Sequence, residues 1–166
     1  MCVRETGGNK KAWPWAAVLL WMVVIFLFSA QNGQRSGDTS GSVLRWILRL
    51  FYWGFDAYAI EKQTAILELW HLIVRKGAHF TEYAVLAMLV VNALRQYALP
   101  QRLRWILPVA VSAAYAVTDE IHQYFVPDRA CRLLDVGIDT CGAIFGMFCF
   151  TVAAALRKRE KRGTIQ

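Results

Sequence analysis

Apolar residues run almost without interruption through four stretches of the chain, roughly 13–30, 76–94, 105–124 and 133–156. Each approaches the about 20 residues that a helix needs to cross a hydrocarbon core ~30 Å thick. The pattern predicts an all-α integral membrane protein: a four-helix bundle in one domain, 13–156, with a polar start at 1–12 and a basic tail at 157–166. The second and third stretches are the least apolar, because both carry ionisable residues. Lys10 and Lys11 precede the first stretch as they would in a signal peptide. Three tryptophans (Trp13, Trp15, Trp21) suit an uncleaved, anchored span better, and Phe28 is too large for the position three before a cut after Ala30.

Between the first two spans the pattern changes twice. Residues 31–40 (QNGQRSGDTS) form a polar, Gly/Ser-rich turn. Residues 42–55 (SVLRWILRLFYWGF) are too short to span and too apolar to float free, with Arg45 and Arg49 four apart on one face. They predict an additional interfacial amphipathic helix on the membrane surface, or a helix folded back onto the bundle; the pattern does not separate the two. Residues 59–74 read as a helix running straight into the second span. Pro14 suits a helix start, where its missing N–H costs nothing. In the last span Gly142 and Gly146 stand four apart, a small-residue face that admits a neighbouring helix closely.

Composition sharpens this picture. Hydrophobic residues make up 57% of 166, more than a soluble core of this size requires. The net charge is +7, and its distribution sets the orientation. With the N-terminus inside, the inner segments hold eleven basic residues against two acidic, a net of +9, while the rest of the chain nets −2. The excess of Lys and Arg in short inner loops predicts that both termini are cytoplasmic. The basic balance therefore reflects topology and anionic lipid, and nucleic acid is excluded as the expected partner. Four cysteines show no disulfide or zinc spacing and read as small apolar residues.

The candidate chemistry lies inside the spans. The run RKGAHFTEY carries Arg75, Lys76, His79, Glu82 and Tyr83; further on stand Asp119, Glu120, Gln123, Arg129, Arg132, Asp135 and Asp139. Hydrocarbon penalises each unpaired charge by a few kcal/mol or more, roughly, so such a cluster is an internal network or a site. Consecutive spans run in opposite directions, and the residue positions put all these groups at one depth, near the outer ends. They also form stripes at helical spacing: Lys76, His79 and Tyr83, with Glu82 beside His79; Ser112, Tyr115, Asp119 and Gln123; Asp135, Asp139, Gly142 and Gly146. This predicts an outward-open polar pocket lined by Lys76, His79, Glu82, Tyr83, Asp119, Glu120, Gln123, Arg129, Arg132, Asp135 and Asp139, capped by the loop at 127–132. The competing reading is a purely structural ion-pair lock joining Lys76, Arg129 and Arg132 to Asp119, Glu120 and Asp135. His71 and His122 read as interfacial or packing residues.

The ordered pattern Lys76-x-x-His79-x-x-x-Tyr83-x-x-Leu86, Asp119-Glu120-x-x-Gln123, Pro127-x-Arg129 and Asp135-x-x-x-Asp139-x-x-Gly142 with Gly146 resembles the VanZ-like family of small bacterial membrane proteins. Ser29 and Gln31 resemble the Ser-x-Gln closing that family's first span, whereas Asp128 stands where the family commonly has Gly. The resemblance implies a protein of the bacterial cytoplasmic membrane and a link to resistance against teicoplanin, a glycopeptide that binds lipid-linked cell-wall precursors.

Three functions compete. The first is binding or remodelling of a lipid-linked envelope molecule, such as a polyprenyl-phosphate-linked precursor, with Lys76, Arg129 and Arg132 meeting its anionic group. The second is an enzyme acting on a lipid headgroup, with His79, Asp119 and Glu120 supplying acid–base chemistry or holding a divalent cation. No hydrolase or zinc spacing accompanies these residues. The third is a small transporter or interaction protein; transport through so few spans calls for a homo-oligomer, and a site at one side of the membrane argues against it.

Overall fold

The computed structural model describes residues 8–30, 44, 46, 48–50, 52, 54–127 and 132–163. Four long helices dominate: α1 (Gly8–Ser29), α2 (Ile60–Leu94), α3 (Gln101–Tyr124) and α4 (Leu133–Gly163). A short 3₁₀ turn, Phe55–Ala57, precedes α2, and no strand occurs among the described residues. The chain is thus all-helical. Helix α2 is continuous from the run-in through the second apolar stretch. Its 35 residues measure about 52 Å, well over the thickness of a bilayer core.

Three described segments are long and apolar enough to cross a membrane: Ala12–Ser29, Ile60–Leu94 and Leu133–Lys161. Helix α3 falls short by composition, for a physical reason. Its polar side chains Ser112, Asp119, Glu120 and Gln123 are buried against the other helices. They lower its mean hydropathy without facing the surroundings, where Ile106, Val117 and Ile121 are exposed.

The pairwise contacts give the helix directions. Arg75 meets Gln123, and Tyr83 packs near Tyr115, so α2 and α3 are antiparallel. The indole N–H of Trp21 donates to the Glu82 carbonyl at 2.9 Å, and that of Trp15 to the Tyr97 hydroxyl at 3.0 Å, which sets α1 antiparallel to α2. Lys76 meets Asp135 and Phe80 packs near Phe145, so α2 and α4 run the same way. The core joins Val18 and Ile25 of α1, Tyr83, Leu86, Val90, Ala93 and Leu94 of α2, and Ala116 of α3.

Gly142 and Gly146 explain how closely α2 and α4 approach. A Cβ on Gly142 would lie 2.9 Å from the Phe80 carbonyl carbon and closer still to its oxygen. One on Gly146 would lie 2.6 Å from the Ala84 carbonyl carbon, again with the oxygen nearer. The neighbour is backbone in both cases and cannot swing aside, so both positions require glycine.

One expectation changes, and another segment is described only in part. Helix α1 begins at Gly8, so Pro14 lies inside it rather than at its opening; a proline there removes one intrahelical hydrogen bond, to the carbonyl four residues earlier. The segment expected at 42–55 is described in part, with 42, 43, 45, 47, 51 and 53 outside the described residues. Leu44, Leu48 and Phe55 are buried and pack with Ile66, Leu67 and Trp70 of α2. Gly54, at φ 81°, makes the left-handed turn that starts the return.

Candidate functional site

The ionisable residues converge where α1 and α3 end and α4 begins, beside the middle of α2. Three buried side chains form its centre. The Ser29 hydroxyl donates to Asp119 Oδ2 at 2.7 Å. The Gln123 amide donates to the same oxygen at 3.0 Å and to Ser29 Oγ at 2.6 Å. Asp119 and Gln123 are one helical turn apart, and the last residue of α1 completes the triangle.

Around this centre sit two ion contacts between α2 and α4. The Lys76 ammonium donates to Asp135 Oδ1, with both side chains partly buried. One turn deeper, His79 Nδ1 lies 3.8 Å from Asp139 Oδ1, an ionic contact when the imidazole is protonated. Arg75 donates to Gln123 Oε1 at 3.3 Å and ties α2 to the central triangle. Glu120 Oε2 accepts the Arg132 backbone N–H at 2.8 Å, which fastens the start of α4 to the end of α3.

The site holds more acceptors than the protein satisfies. Asp139 is only 1% exposed, yet neither carboxylate oxygen has a hydrogen-bond partner among the described residues. Asp119 Oδ1, the Tyr83 hydroxyl and the Ser112 hydroxyl are also buried without one. Buried polar groups are paired in the great majority of cases, and leaving one unpaired costs about 1–3 kcal/mol. Asp139, Asp119 and Tyr83 bring such groups into the layer itself, and Ser112 lies about two turns deeper along α3.

The expected residues meet different fates. Lys76, His79, Tyr83, Asp119, Glu120, Gln123, Asp135 and Asp139 come together at this level, as described. Glu82 is half-buried beside them, and its backbone carbonyl accepts the Trp21 indole N–H. Arg132 is exposed and enters through its backbone. Arg129 lies outside the described residues, as do Gln31 and 128–131 of the capping loop. His79, Asp119 and Glu120 do not form a metal-binding group; among the described residues no three His, Cys, Asp or Glu come together in that way. His122 stacks on Phe26 with ring centroids 4.3 Å apart, a packing role.

Two members were absent from the expected pocket. Ser29 entered only as part of a two-residue resemblance, and a single hydroxyl at the end of an apolar run has no periodicity to announce it. Arg75 stood beside Lys76, one residue or about 100° around the helix from the stripe. Its place on the face of α2 toward Gln123 could have been found from the Arg75, His79, Glu82 spacing.

The family model described as VanZ/LLP1 matches residues 14–154, from early α1 to late α4. The chain belongs to the VanZ/LLP1 family. The match takes in the whole charged layer of this VanZ-like protein and all four long helices. No curated protein and no solved structure matches the chain.

Proposed function

We propose that this protein spans the bacterial cytoplasmic membrane as a four-helix bundle and uses its charged layer, in the outer leaflet, to bind or remodel a lipid-linked envelope molecule. All four helices cross. Helix α3 is included because its acidic side chains, Asp119 and Glu120, are buried inward, while Ile106, Val117 and Ile121 beyond its basic first turn are exposed. Both termini are cytoplasmic, since the ends of α2 and α4 and the start of α3 carry the basic excess. Trp46 and Leu50, exposed on the segment folded against α2, rest on the outer surface of the membrane. Cysteine accessibility labelling is expected to leave a cysteine at Gly163 protected from outside reagent and to label one at Ser36. The reverse result overturns the orientation.

The observation that carries the functional reading is the unmet acceptor capacity of Asp139 and Asp119 beside Tyr83. A ligand for this site brings hydroxyl or ammonium donors to those carboxylates. Lys76 is already held by Asp135, so an anionic group turns to Arg75 and Arg132. A sugar or amine joined through phosphate to a long lipid offers both kinds of group. Its tail lies along the apolar exterior. Sequestration or alteration of such a molecule accounts for the link to teicoplanin that the resemblance implies. Native mass spectrometry of the purified protein is expected to show retention of polyprenyl-phosphate-type lipids over neutral lipids. Repeating it with a chelator tests a bridging divalent cation. No preference under either condition rejects the reading.

An enzyme acting on the same headgroup is the second reading, favoured by the His79–Asp139 contact with Tyr83 buried alongside. Such a carboxylate–imidazole pair suits proton transfer. A mass change in the retained lipid on incubation would separate conversion from binding.

A further inference from the structure

At the opposite end of the molecule from the charged layer lies a groove of about 780 Å³ between the last turns of α2 and the C-terminal half of α4. Its walls divide by chemistry. Met88, Phe150, Ala153 and Ala154 make an apolar floor, while Arg95, Arg157, Lys158 and Lys161 stand at its mouth. Among the described residues no acidic side chain lines it. We propose that this groove is a binding site for one anionic phospholipid of the leaflet at the basic end, the cytoplasmic leaflet in the orientation above. The proposal needs only that α2 and α4 span the membrane, and not that the charged layer binds a ligand.

The register of α4 builds the site. Phe150, Ala154, Arg157 and Lys161 follow at spacings of three and four, so apolar and basic residues continue one stripe along a single face. From Asp135 to Arg157 the helix rises about 33 Å, close to the thickness of a hydrocarbon core. The stripe therefore changes from apolar to basic where acyl chains give way to phosphates. Aromatic side chains mark the same level: Tyr97, which accepts from Trp15, and the partly exposed Trp105 sit by the loop joining α2 to α3. Tryptophan and tyrosine concentrate at that depth of a bilayer.

Arg95 is the hinge of the arrangement. Its guanidinium lies 5.4 Å from the Phe150 ring centroid, a cation–π contact that holds the charge over the floor. That geometry leaves the edge of the guanidinium for a phosphate, which an arginine can bind through two oxygens at once. Basic pockets between spans on the cytoplasmic side suit lipid headgroups with more than one negative charge or with exposed phosphate. The small alanines of the floor leave room for an acyl chain beside Met88 and Phe150.

The test uses the full chain in detergent, offered phosphatidylglycerol or cardiolipin against phosphatidylcholine, with retention read by native mass spectrometry. Wild type is expected to retain the anionic lipid selectively. The combined variant Arg157→Gln, Lys158→Gln, Lys161→Gln is expected to lose roughly a hundredfold in retention, given the attraction of each basic residue to an anionic surface. Arg102→Gln with Arg159→Gln removes two positive charges that do not line the groove and is expected to change retention little. Ala153→Trp fills the floor while keeping every charge, and is expected to expel the lipid. Equal retention of phosphatidylcholine by wild type overturns the proposal. So does anionic retention that survives in both the triple variant and Ala153→Trp. An equal loss in the Arg102/Arg159 control means diffuse attraction, and also overturns it.

Discussion

Gly146→Ala is expected to destabilise the protein more than a methyl group usually does, whereas Gly137→Ala, on the same helix, is expected to be neutral or stabilising. Both changes remove the backbone entropy penalty of a helical glycine, worth about 1 kcal/mol. Nothing lies within 4 Å of a Cβ at Gly137, so that gain stands alone. At Gly146 the new methyl runs into the carbonyl of Ala84. Overpacking typically costs about 1–3 kcal/mol, and a backbone obstacle belongs at the upper end because no rotamer relieves it. Relief requires α4 to retreat from α2, which also opens the Lys76–Asp135 contact. Thermal denaturation of both variants in the same detergent checks the contrast. Similar midpoints would mean that the two backbones are not in contact in solution.

The second large effect concerns Asp119. With the basic groove disabled by Arg157→Gln, Lys158→Gln and Lys161→Gln, Asp119→Ala is expected to abolish the remaining retention of polyprenyl-phosphate-type lipid and lower stability together, because it strips the acceptor from Ser29 and Gln123, both buried. Leaving buried donors unanswered costs about 1–3 kcal/mol each. Asp119→Asn keeps the shape and one carbonyl acceptor. Its thermal midpoint is expected to stay near wild type while retention falls at least about tenfold, a loss near 1.4 kcal/mol of binding. Arg49→Ala, which breaks an exposed pair with Asp56 far from the site, is expected to alter neither quantity. A folded Asp119→Asn protein that retains lipid as wild type does would make the layer a structural lock and nothing more.

Much of this arrangement was legible in the sequence, and the gaps have physical causes. The Gly142, Gly146 spacing announced a close helix contact because only small residues allow one. The stripes on α2, α3 and α4 announced a shared polar level, because hydrocarbon forces such groups inward. Partners across helices are another matter. Lys76 was read either as facing a ligand or as locked to one of three acids, and the acid it meets is Asp135. Which of several acids it meets depends on the register of two helices whose relative shift no local pattern encodes. The segment around Leu44–Leu50 was ambiguous for a related reason. Lipid and the flank of a neighbouring helix are both apolar, so one amphipathic face suits either. The buried polar residues of α3 worked the other way: they lower its hydropathy although they face the other helices.

The glycine contact of α2 and α4 also has a mechanical meaning. Phe80 and Ala84 seat on Gly142 and Gly146 like teeth in two notches one turn apart. A slip of α4 by a single residue would bring Ala143 and Met147, which carry side chains, toward those seats. The pair is thus indexed, and Lys76 opposite Asp135 and His79 opposite Asp139 are held in step by a stop two turns away. That half of the charged layer is a fixed jaw. Contacts between α1 and the rest are of another kind: the Trp21 indole on the Glu82 carbonyl, the Tyr115 hydroxyl on the Met22 carbonyl at 2.6 Å, and Ser29 on Asp119. Each is a side chain that can turn about its own bonds. If the layer binds a guest as proposed, the jaw that yields to it is the one closed by α1.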